Sequence, residues 1–309
     1  MKLASRLILY LSLLSLVLAG CEQTQVATPQ PITITIAGAT SMRPVLQALS
    51  AEYSRRHPAV LFDLRGGGST IGEELVAAGQ VDLAASALIP ATPETVPPPL
   101  VQQTPIAQKL LHIPIGIDGL ALIVHRTNQV DALSMAQVRD LFSGRIVNWS
   151  AVGGVDQDVL LVSREDGSGS RQLFELRMME AEAVSLTAIV MPTSTDVVDY
   201  VAKNAQSIAY VSRSYVIEQL SLNAPGSQSG TPPSANAQAN DQANNNVKVV
   251  AVEGKLPSIE NLKDSSYPLS APIYLVSKGQ PQGAVRQFVE FTLGPIGQEI
   301  VSHYHARIR

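Results

Sequence analysis

The stretch ITITIAGATSMRPVLQALSAEY occupies residues 32–53 and contains the unit from which the fold is built. Isoleucine and threonine alternate from Ile32 to Ala37 and are followed by Gly38, which predicts a strand that ends in a turn. Apolar residues then recur at helical spacing between Met42 and Tyr53, with Pro44 in the first turn, where helices tolerate proline. A strand, a short polar turn and a helix in this order are typical of an α/β architecture.

The same unit recurs twice along the chain. The strand predicted at residues 60–64 leads through Gly67-Gly68-Ser69-Thr70 into a helix that ends near Ala78. The strand predicted at 159–163 leads through Gly167-Ser168-Gly169-Ser170 into a helix that ends near Met179. Further apolar runs predict strands at 81–85, 113–125, 208–211 and 274–276, and helices at 133–142 and 285–293. The alternation predicts mostly parallel sheets.

Composition excludes several classes of protein. The chain has 309 residues, of which 45% are hydrophobic and 16% charged, so wholesale disorder is excluded. A net charge of −4 and an aromatic share of 5% argue against a nucleic-acid binder. The sequence contains no H-E-x-x-H or P-loop motif, and His303 and His305 are interpreted as part of a frayed tail. Ser168 lacks the G-x-S-x-G context of a catalytic serine. We therefore expect neither an enzyme nor a metal or other cofactor.

The N-terminus has the pattern of an export signal. Lys2 and Arg6 precede an apolar run over 7–18 that is too short to span a bilayer. The following Leu-Ala-Gly-Cys resembles a bacterial lipobox, which predicts a signal peptide over 1–20, lipidation of Cys21 and a tether over 21–31. The alternative is a simple secretory signal followed by an unmodified cysteine. Both place the protein outside the cytoplasm, and the lipobox predicts lipid anchoring to the cell membrane.

A low-complexity segment interrupts the second half of the chain. Residues 221–246 contain one charged residue, Asp241, and one large aliphatic residue, Leu222. Such a composition predicts a disordered insertion in a surface loop.

The three strand–turn–helix units share the features of an anion site. A helix N-terminus presents unpaired N–H groups and a partial positive charge, glycine permits close approach, and hydroxyls add donors. Taken singly, each turn is better explained as an ordinary helix N-cap. Their recurrence, with Arg164 just before the third, favours a site for a tetrahedral oxyanion.

Longer stretches resemble the phosphate-binding proteins of bacterial ABC phosphate importers, the PstS family. They include GATSMRP at 38–44, RGGGSTIGEELVAAGQVDLAAS at 65–86, IGIDGLALIVH at 115–125 and SREDGSGSRQLFE at 163–175. The resemblance runs from about residue 32 to 305, outside the insertion. It implies an α/β fold of the two-lobed periplasmic binding protein type (type II), with two crossover strands. Lobe I would comprise 32–114, completed by 268–309, and lobe II 115–267.

The resemblance also implies a set of ligand-binding residues. All of them lie in the three turns or directly before the third: Thr40, the N–H of Ser41, Ser69, Arg164, Ser168, Gly169 and Ser170. Asp166 is placed to orient Arg164. Many members of the family carry an acid where this chain has Ala87, and that acid accepts the proton of HPO₄²⁻. Asp118 is the candidate replacement, although a cap or turn role at the crossover explains it equally well.

The implied function is the capture of inorganic phosphate and its delivery to an ABC permease by a monomeric receptor. Three alternatives remain open from the sequence. Ala87 leaves room for another oxyanion such as sulfate or molybdate. A phosphate-sensing surface protein would use the same site, and an enzyme acting on phosphate esters would need a nucleophile or metal cluster that the sequence does not show.

Overall fold

The computed structural model describes residues 30–90, 110–222 and 245–308. The chain from Ile32 onward forms one compact unit. The predicted signal peptide, the lipidation of Cys21, most of the tether and nearly all of the low-complexity insertion lie outside the described residues. Within the described ranges, no helix combines the length and apolar character that crossing a membrane requires.

Strands and helices alternate as the sequence predicts. The strands are β1 (Ile32–Gly38), β2 (Val60–Gly67), β3 (Leu83–Ser86), β4 (Leu110–His125), β5 (Ala132–Leu133), β6 (Leu160–Arg164), β7 (Ile189–Met191), β8 (Ser207–Ser212), β9 (Val247–Val252) and β10 (Ser270–Lys278). The helices are α1 (Arg43–Arg56), α2 (Gly68–Ala77), α3 (Met135–Phe142), α4 (Gly169–Phe174), α5 (Ser194–Lys203), α6 (Ile217–Leu222), α7 (Ile259–Lys263), α8 (Gly283–Leu293) and α9 (Pro295–Tyr304). A π-helical turn, Glu175–Met179, continues α4.

The sheet is mixed rather than mostly parallel. Its order is β2-β1-β3-β10-β4-β8-β6-β7, with β9 beside β4 and β5 beside β9. Neighbours at either end, such as β1 with β2 and β6 with β7, are parallel. Strand β4 is antiparallel to both of its neighbours, β10 and β8. The chain passes from the β1–β3 part of the sheet to the β6–β8 part through β4, and it returns through β10. The α/β prediction is confirmed, and the expectation of mostly parallel pairing is corrected at the centre.

Two large cores lie along this sheet, and strands β4 and β10 pass from one to the other. On β4, Ile115 belongs to the first core, which also contains Tyr53, and Leu120 belongs to the second. On β10, Ala271 packs in the second core and Ile273 in the first. The second core also contains Phe142 and Trp149, both buried.

The C-terminal part of the chain departs from the predictions. Helix α9 was not predicted, and it brings His305 to a fully buried position, so the frayed-tail interpretation is wrong for that residue. Earlier in the chain, strand β7 and helix α5 were also not predicted from the sequence. The predicted insertion begins too early, because Ser221 and Leu222 complete α6.

Candidate functional site

The three turns meet around one small, tightly closed cavity. The strands β1, β2 and β6 end at this cavity, and the carboxyl ends of strands in an α/β sheet are where ligands bind. The residues that line it come from all three turns: Ala39, Thr40, Ser41, Gly68, Ser69, Arg164, Ser168 and Gly169. Six residues singled out from the sequence are therefore brought together, while Ser170, buried in the first turn of α4, is not among the lining residues.

Glycines allow the turns to approach one another. A Cβ on Gly169 would lie 2.5 Å from the carbonyl carbon of Ala87 and 2.8 Å from Oγ of Ser69. Gly67 precedes α2 with a left-handed φ of 119°, and no side chain caps that helix. The N–H groups of its first turn are therefore not used by a cap. The second and third turns also meet directly, since the N–H of Thr70 donates to the carbonyl of Gly167 at 3.2 Å.

Three of the four hydroxyls that line the cavity, those of Thr40, Ser69 and Ser168, accept hydrogen bonds from the protein. Oγ1 of Thr40 accepts hydrogen bonds from the N–H of Ser194 and from Nη2 of Arg164, each at 3.2 Å. Oγ of Ser69 accepts from the N–H of Ala87 at 3.1 Å, and Oγ of Ser168 accepts from the N–H of Arg171 at 3.4 Å. A hydroxyl that already accepts from the protein keeps its own hydrogen for donation. An anion in the cavity therefore meets hydroxyl hydrogens.

Arg164 supplies the charge of the site. It is 2% exposed and lies at the end of β6, just before the third turn. Its Nη1 donates to Oγ of Ser194 at 3.1 Å, and its Nε donates to the carbonyl of Met191 at 3.1 Å. These bonds fix the plane of the guanidinium, whose rigid arrangement of N–H groups matches the oxygens of an oxyanion.

The carboxylate that pairs with Arg164 is Glu165, not Asp166. Nη2 and Nε of Arg164 donate to the two carboxylate oxygens of Glu165 at 2.9 and 3.0 Å. Asp166 is 93% exposed and forms an ion pair with Arg171 at 2.5 Å. The prediction that Asp166 orients the arginine is therefore wrong. The tight turn in which the N–H of Ser168 bonds to the carbonyl of Glu165 directs the two neighbouring carboxylates to different sides.

Asp118 lies away from the cavity as well. Its carboxylate accepts from the N–H of Gly119 at 2.8 Å and lies 3.1 Å from Nδ1 of the buried His305. It is not among the residues that line the cavity. The expectation that Asp118 accepts a proton from a bound anion is therefore corrected, and its structural role at the crossover is the one the geometry supports.

Three further residues hold the first turn and were missed in the sequence. Ser194 bonds to Thr40 as described above, Oγ of Ser214 donates to the carbonyl of Ser41, and Oη of Tyr215 donates to the carbonyl of Thr40. Ser194 could have been found, because Thr193 and Asp196 have the spacing of a helix start. No local pattern marks the other two.

The arrangement suits a small oxyanion. The lining combines one guanidinium with hydroxyl and backbone N–H donors, and no carboxylate-bearing residue lines the cavity. Helix N-termini and preorganised N–H groups bind such anions without lysine. In the described part of the chain, no group of three or more His, Cys, Asp or Glu residues could hold a metal ion.

Comparisons with known proteins agree with this geometry. The Bacillus subtilis phosphate-binding protein PstS is 23% identical over 259 residues, covering 84% of this chain and 74% of that protein. A candidate phosphate ABC transporter substrate-binding protein from Clostridium perfringens, solved with bound phosphate, is 28% identical with a TM-score of 0.73, covering 90% of this chain and 100% of that one. An ABC-type phosphate transport receptor from Vibrio cholerae is 25% identical with a TM-score of 0.61, covering 89% and 100%. The profile of the PBP superfamily domain matches residues 23–295, so this chain belongs to the PBP superfamily.

Proposed function

We propose that the protein is a solute-binding receptor that captures inorganic phosphate and delivers it to an ABC permease. The observation that carries the proposal is the small cavity in which three donor-rich turns surround the buried guanidinium of Arg164. The similarity to the phosphate-bound Clostridium perfringens protein supports phosphate as the ligand. Charged hydrogen bonds in a site shielded from water should give a Kd of about 1 μM or lower, about −8 kcal/mol.

The two cores correspond to two lobes in this proposal. Lobe I would comprise residues 32–114 and 268–309, and lobe II residues 115–267, joined by the crossovers in β4 and β10. The lobes would separate to admit phosphate and close around it. The signal-like N-terminus supports an extracytoplasmic location with a lipid anchor on Cys21, and one copy of the chain contains all the residues that line the cavity.

A second candidate is a receptor for another oxyanion, such as sulfate or molybdate. It is favoured by Ala87 and by the absence of a carboxylate-bearing residue from the lining of the cavity. A carboxylate that faces the anion favours a protonated oxyanion, since sulfate has no proton to donate to it. Without that contact, discrimination between phosphate and sulfate depends on the donors alone.

Calorimetric titration of the full chain, purified in a mild detergent, distinguishes these candidates. Inorganic phosphate, sulfate and molybdate are titrated separately at one pH and ionic strength. Phosphate binding with a Kd of about 1 μM or lower, and much weaker binding of the other two anions, supports the proposal. Tighter binding of sulfate or molybdate supports the second candidate, and no binding of any of the three refutes both.

Gly169→Ala should weaken phosphate binding about thirtyfold, or by about 2 kcal/mol, the scale of overpacking a tight contact. The added Cβ would meet the backbone of Ala87 in proposed lobe I, so the two lobes could not close around the cavity. Gly167→Ala is the matched control, because its Cβ would lie 3.5 Å from Thr70, an ordinary contact. Equal affinities for the two variants would contradict the assigned close approach.

Deletion of residues 223–244, with a short Gly-Ser join, should change the phosphate affinity by less than about threefold, because loop length has a small entropic cost. The deletion keeps α6 intact and keeps Asn246, whose carbonyl accepts from the N–H of Arg126 at 2.8 Å. Calorimetry with phosphate measures the effect. Loss of binding in a variant that unfolds at the normal temperature would show that the segment contributes to the site.

A further inference from the structure

The first anion turn, Gly38-Ala39-Thr40-Ser41, is held from outside the cavity by the short 3₁₀ helix Arg213–Tyr215, which follows β8. Oη of Tyr215 donates to the carbonyl of Thr40 at 2.7 Å, and Oγ of Ser214 donates to the carbonyl of Ser41 at 3.1 Å. Two consecutive carbonyl groups of the first anion turn are therefore bound by hydroxyls that do not line the cavity.

The bond from Tyr215 determines where a backbone donor points. The carbonyl of Thr40 and the N–H of Ser41 belong to one planar trans peptide and point in opposite directions. A hydroxyl that holds the carbonyl on one side therefore directs the N–H of Ser41 to the other side. The next peptide is fixed at both ends, because Ser214 binds the carbonyl of Ser41 and the N–H of Met42 donates to the carbonyl of Ala39 at 3.2 Å.

These bonds connect the two proposed lobes, which are the two halves of the molecule: residues 32–114 with 268–309, and residues 115–267. Thr40 lies between Ala39 and Met42, which pack in the first core, whereas the ring of Tyr215 packs against apolar residues of α5 and β8 in the second half. Tyr215 is 175 residues from Thr40 in the sequence, and Ser214 is 173 residues from Ser41. Arg213 anchors the same turn, since its Nε donates to the carbonyl of Pro257 at 2.9 Å.

We propose that Ser214 and Tyr215 are positioning residues that complete the anion site only when the two halves close. Closure brings their hydroxyls to the carbonyls of Thr40 and Ser41 and thereby aims the N–H of Ser41 at the anion. In the open form both hydroxyls and both carbonyls bind water instead. This inference rests on the proposed function, because it assumes that the halves separate and close on phosphate.

The tyrosine suits this role across the physiological pH range. Burial raises the pKa of the Tyr215 hydroxyl, so it remains a protonated donor at neutral and moderately alkaline pH. A phenylalanine at this position would keep the packing of the ring and remove only the hydroxyl, which also interacts with the side chains of Thr195 and Ser194. Tyr215→Phe is therefore a test of the contacts that this hydroxyl makes.

The test compares two tyrosine hydroxyls that differ in what they join, one on the partly buried Tyr215 and one on the buried Tyr267. Tyr267 donates to the carbonyl of Leu120 at 2.6 Å, and both of those residues belong to the second core. Tyr267→Phe is therefore the matched control for Tyr215→Phe. The control for Ser214→Ala is Ser54→Ala, which removes a hydrogen bond of 2.8 Å from Oγ of Ser54 to the carbonyl of Val60. Full chains are compared by calorimetry with inorganic phosphate and by thermal unfolding without phosphate.

We expect Tyr215→Phe and Ser214→Ala each to raise the Kd for phosphate about three- to tenfold, the effect of one lost hydrogen bond, and to leave the Tm of the phosphate-free protein unchanged. Tyr267→Phe should lower that Tm by about 2–4 °C and leave the Kd within about twofold. A Kd within twofold of wild type for Tyr215→Phe overturns the inference. So does a loss of Tm in Tyr215→Phe as large as in Tyr267→Phe, because the bond would then exist without closure. If wild type itself binds no phosphate, the proposed function fails as well, which separates the two outcomes.

Discussion

Arg164→Ala should weaken phosphate binding by about 2–5 kcal/mol, which corresponds to roughly thirtyfold to several thousandfold in Kd. The guanidinium is buried and provides the charge of the cavity, so no other group in the lining replaces it. The substitution also leaves the carboxylate of Glu165 without its partner, and that carboxylate lies close to the second turn, 3.2 Å from the position of a Cβ on Gly68. Repulsion between this carboxylate and phosphate should bring the loss toward the upper end of the range.

The control for Arg164→Ala is the removal of another arginine from the same proposed lobe, at a position outside the cavity lining. Arg145 is half-exposed and pairs with Asp140 and Glu182 on the surface. Arg145→Ala should change the binding free energy of phosphate by less than about 0.5 kcal/mol, because exposed ion pairs are screened by solvent. Calorimetry measures both variants. A loss below about 0.5 kcal/mol for Arg164→Ala would place the arginine outside the binding site.

Asp118→Ala should lower the free energy of unfolding by about 3–5 kcal/mol, the usual cost of removing one member of a buried pair of polar or charged groups. Asp118 is 4% exposed and bonds to the buried His305. Its charge also acts on the buried Arg213, whose pKa is lowered by burial, an effect that the negative charges of Asp118 and Glu260 oppose. Without the carboxylate, the buried His305 loses its partner and the buried Arg213 loses one of the two negative charges that favour its charged form.

Asp131→Ala is the matched control for Asp118. Asp131 is 86% exposed and pairs with Lys248, so its loss should cost less than about 1 kcal/mol. Urea denaturation measures the unfolding free energies, and calorimetry measures the ratio of sulfate to phosphate affinity in Asp118→Asn. We expect that ratio to stay within about threefold of wild type, since Asp118 does not line the cavity. New sulfate binding in Asp118→Asn would show instead that the carboxylate reaches the anion.

Local sequence signals predicted the elements that carry the site. The alternation in β1 and the helical spacing in α1 each operate within a dozen residues, as does the glycine-rich turn before α2. Six of the predicted residues meet at the cavity because β1 and β2 end there from one side and β6, which runs antiparallel to β1, ends there from the other. The sequence predicted the three turns, and the sheet topology brought them together.

The partners of the charged residues required the tertiary structure. Glu165 and Asp166 are adjacent in the sequence, and only the conformation of the turn decides which of them reaches Arg164. Asp118 has a glycine on one side and resembles a flexible crossover residue, yet its partner is His305, 187 residues away.

The sequence by itself determined the alternation of strands and helices, the donor chemistry of the three turns and the position of the buried charge, because each depends on contacts between near neighbours. The tertiary structure decided which carboxylates serve the site and which serve the crossover, and it placed Ser194, Ser214 and Tyr215 against the first turn. Those contacts join residues more than 150 positions apart, so they are set by how the two halves pack and leave no periodic pattern in the chain.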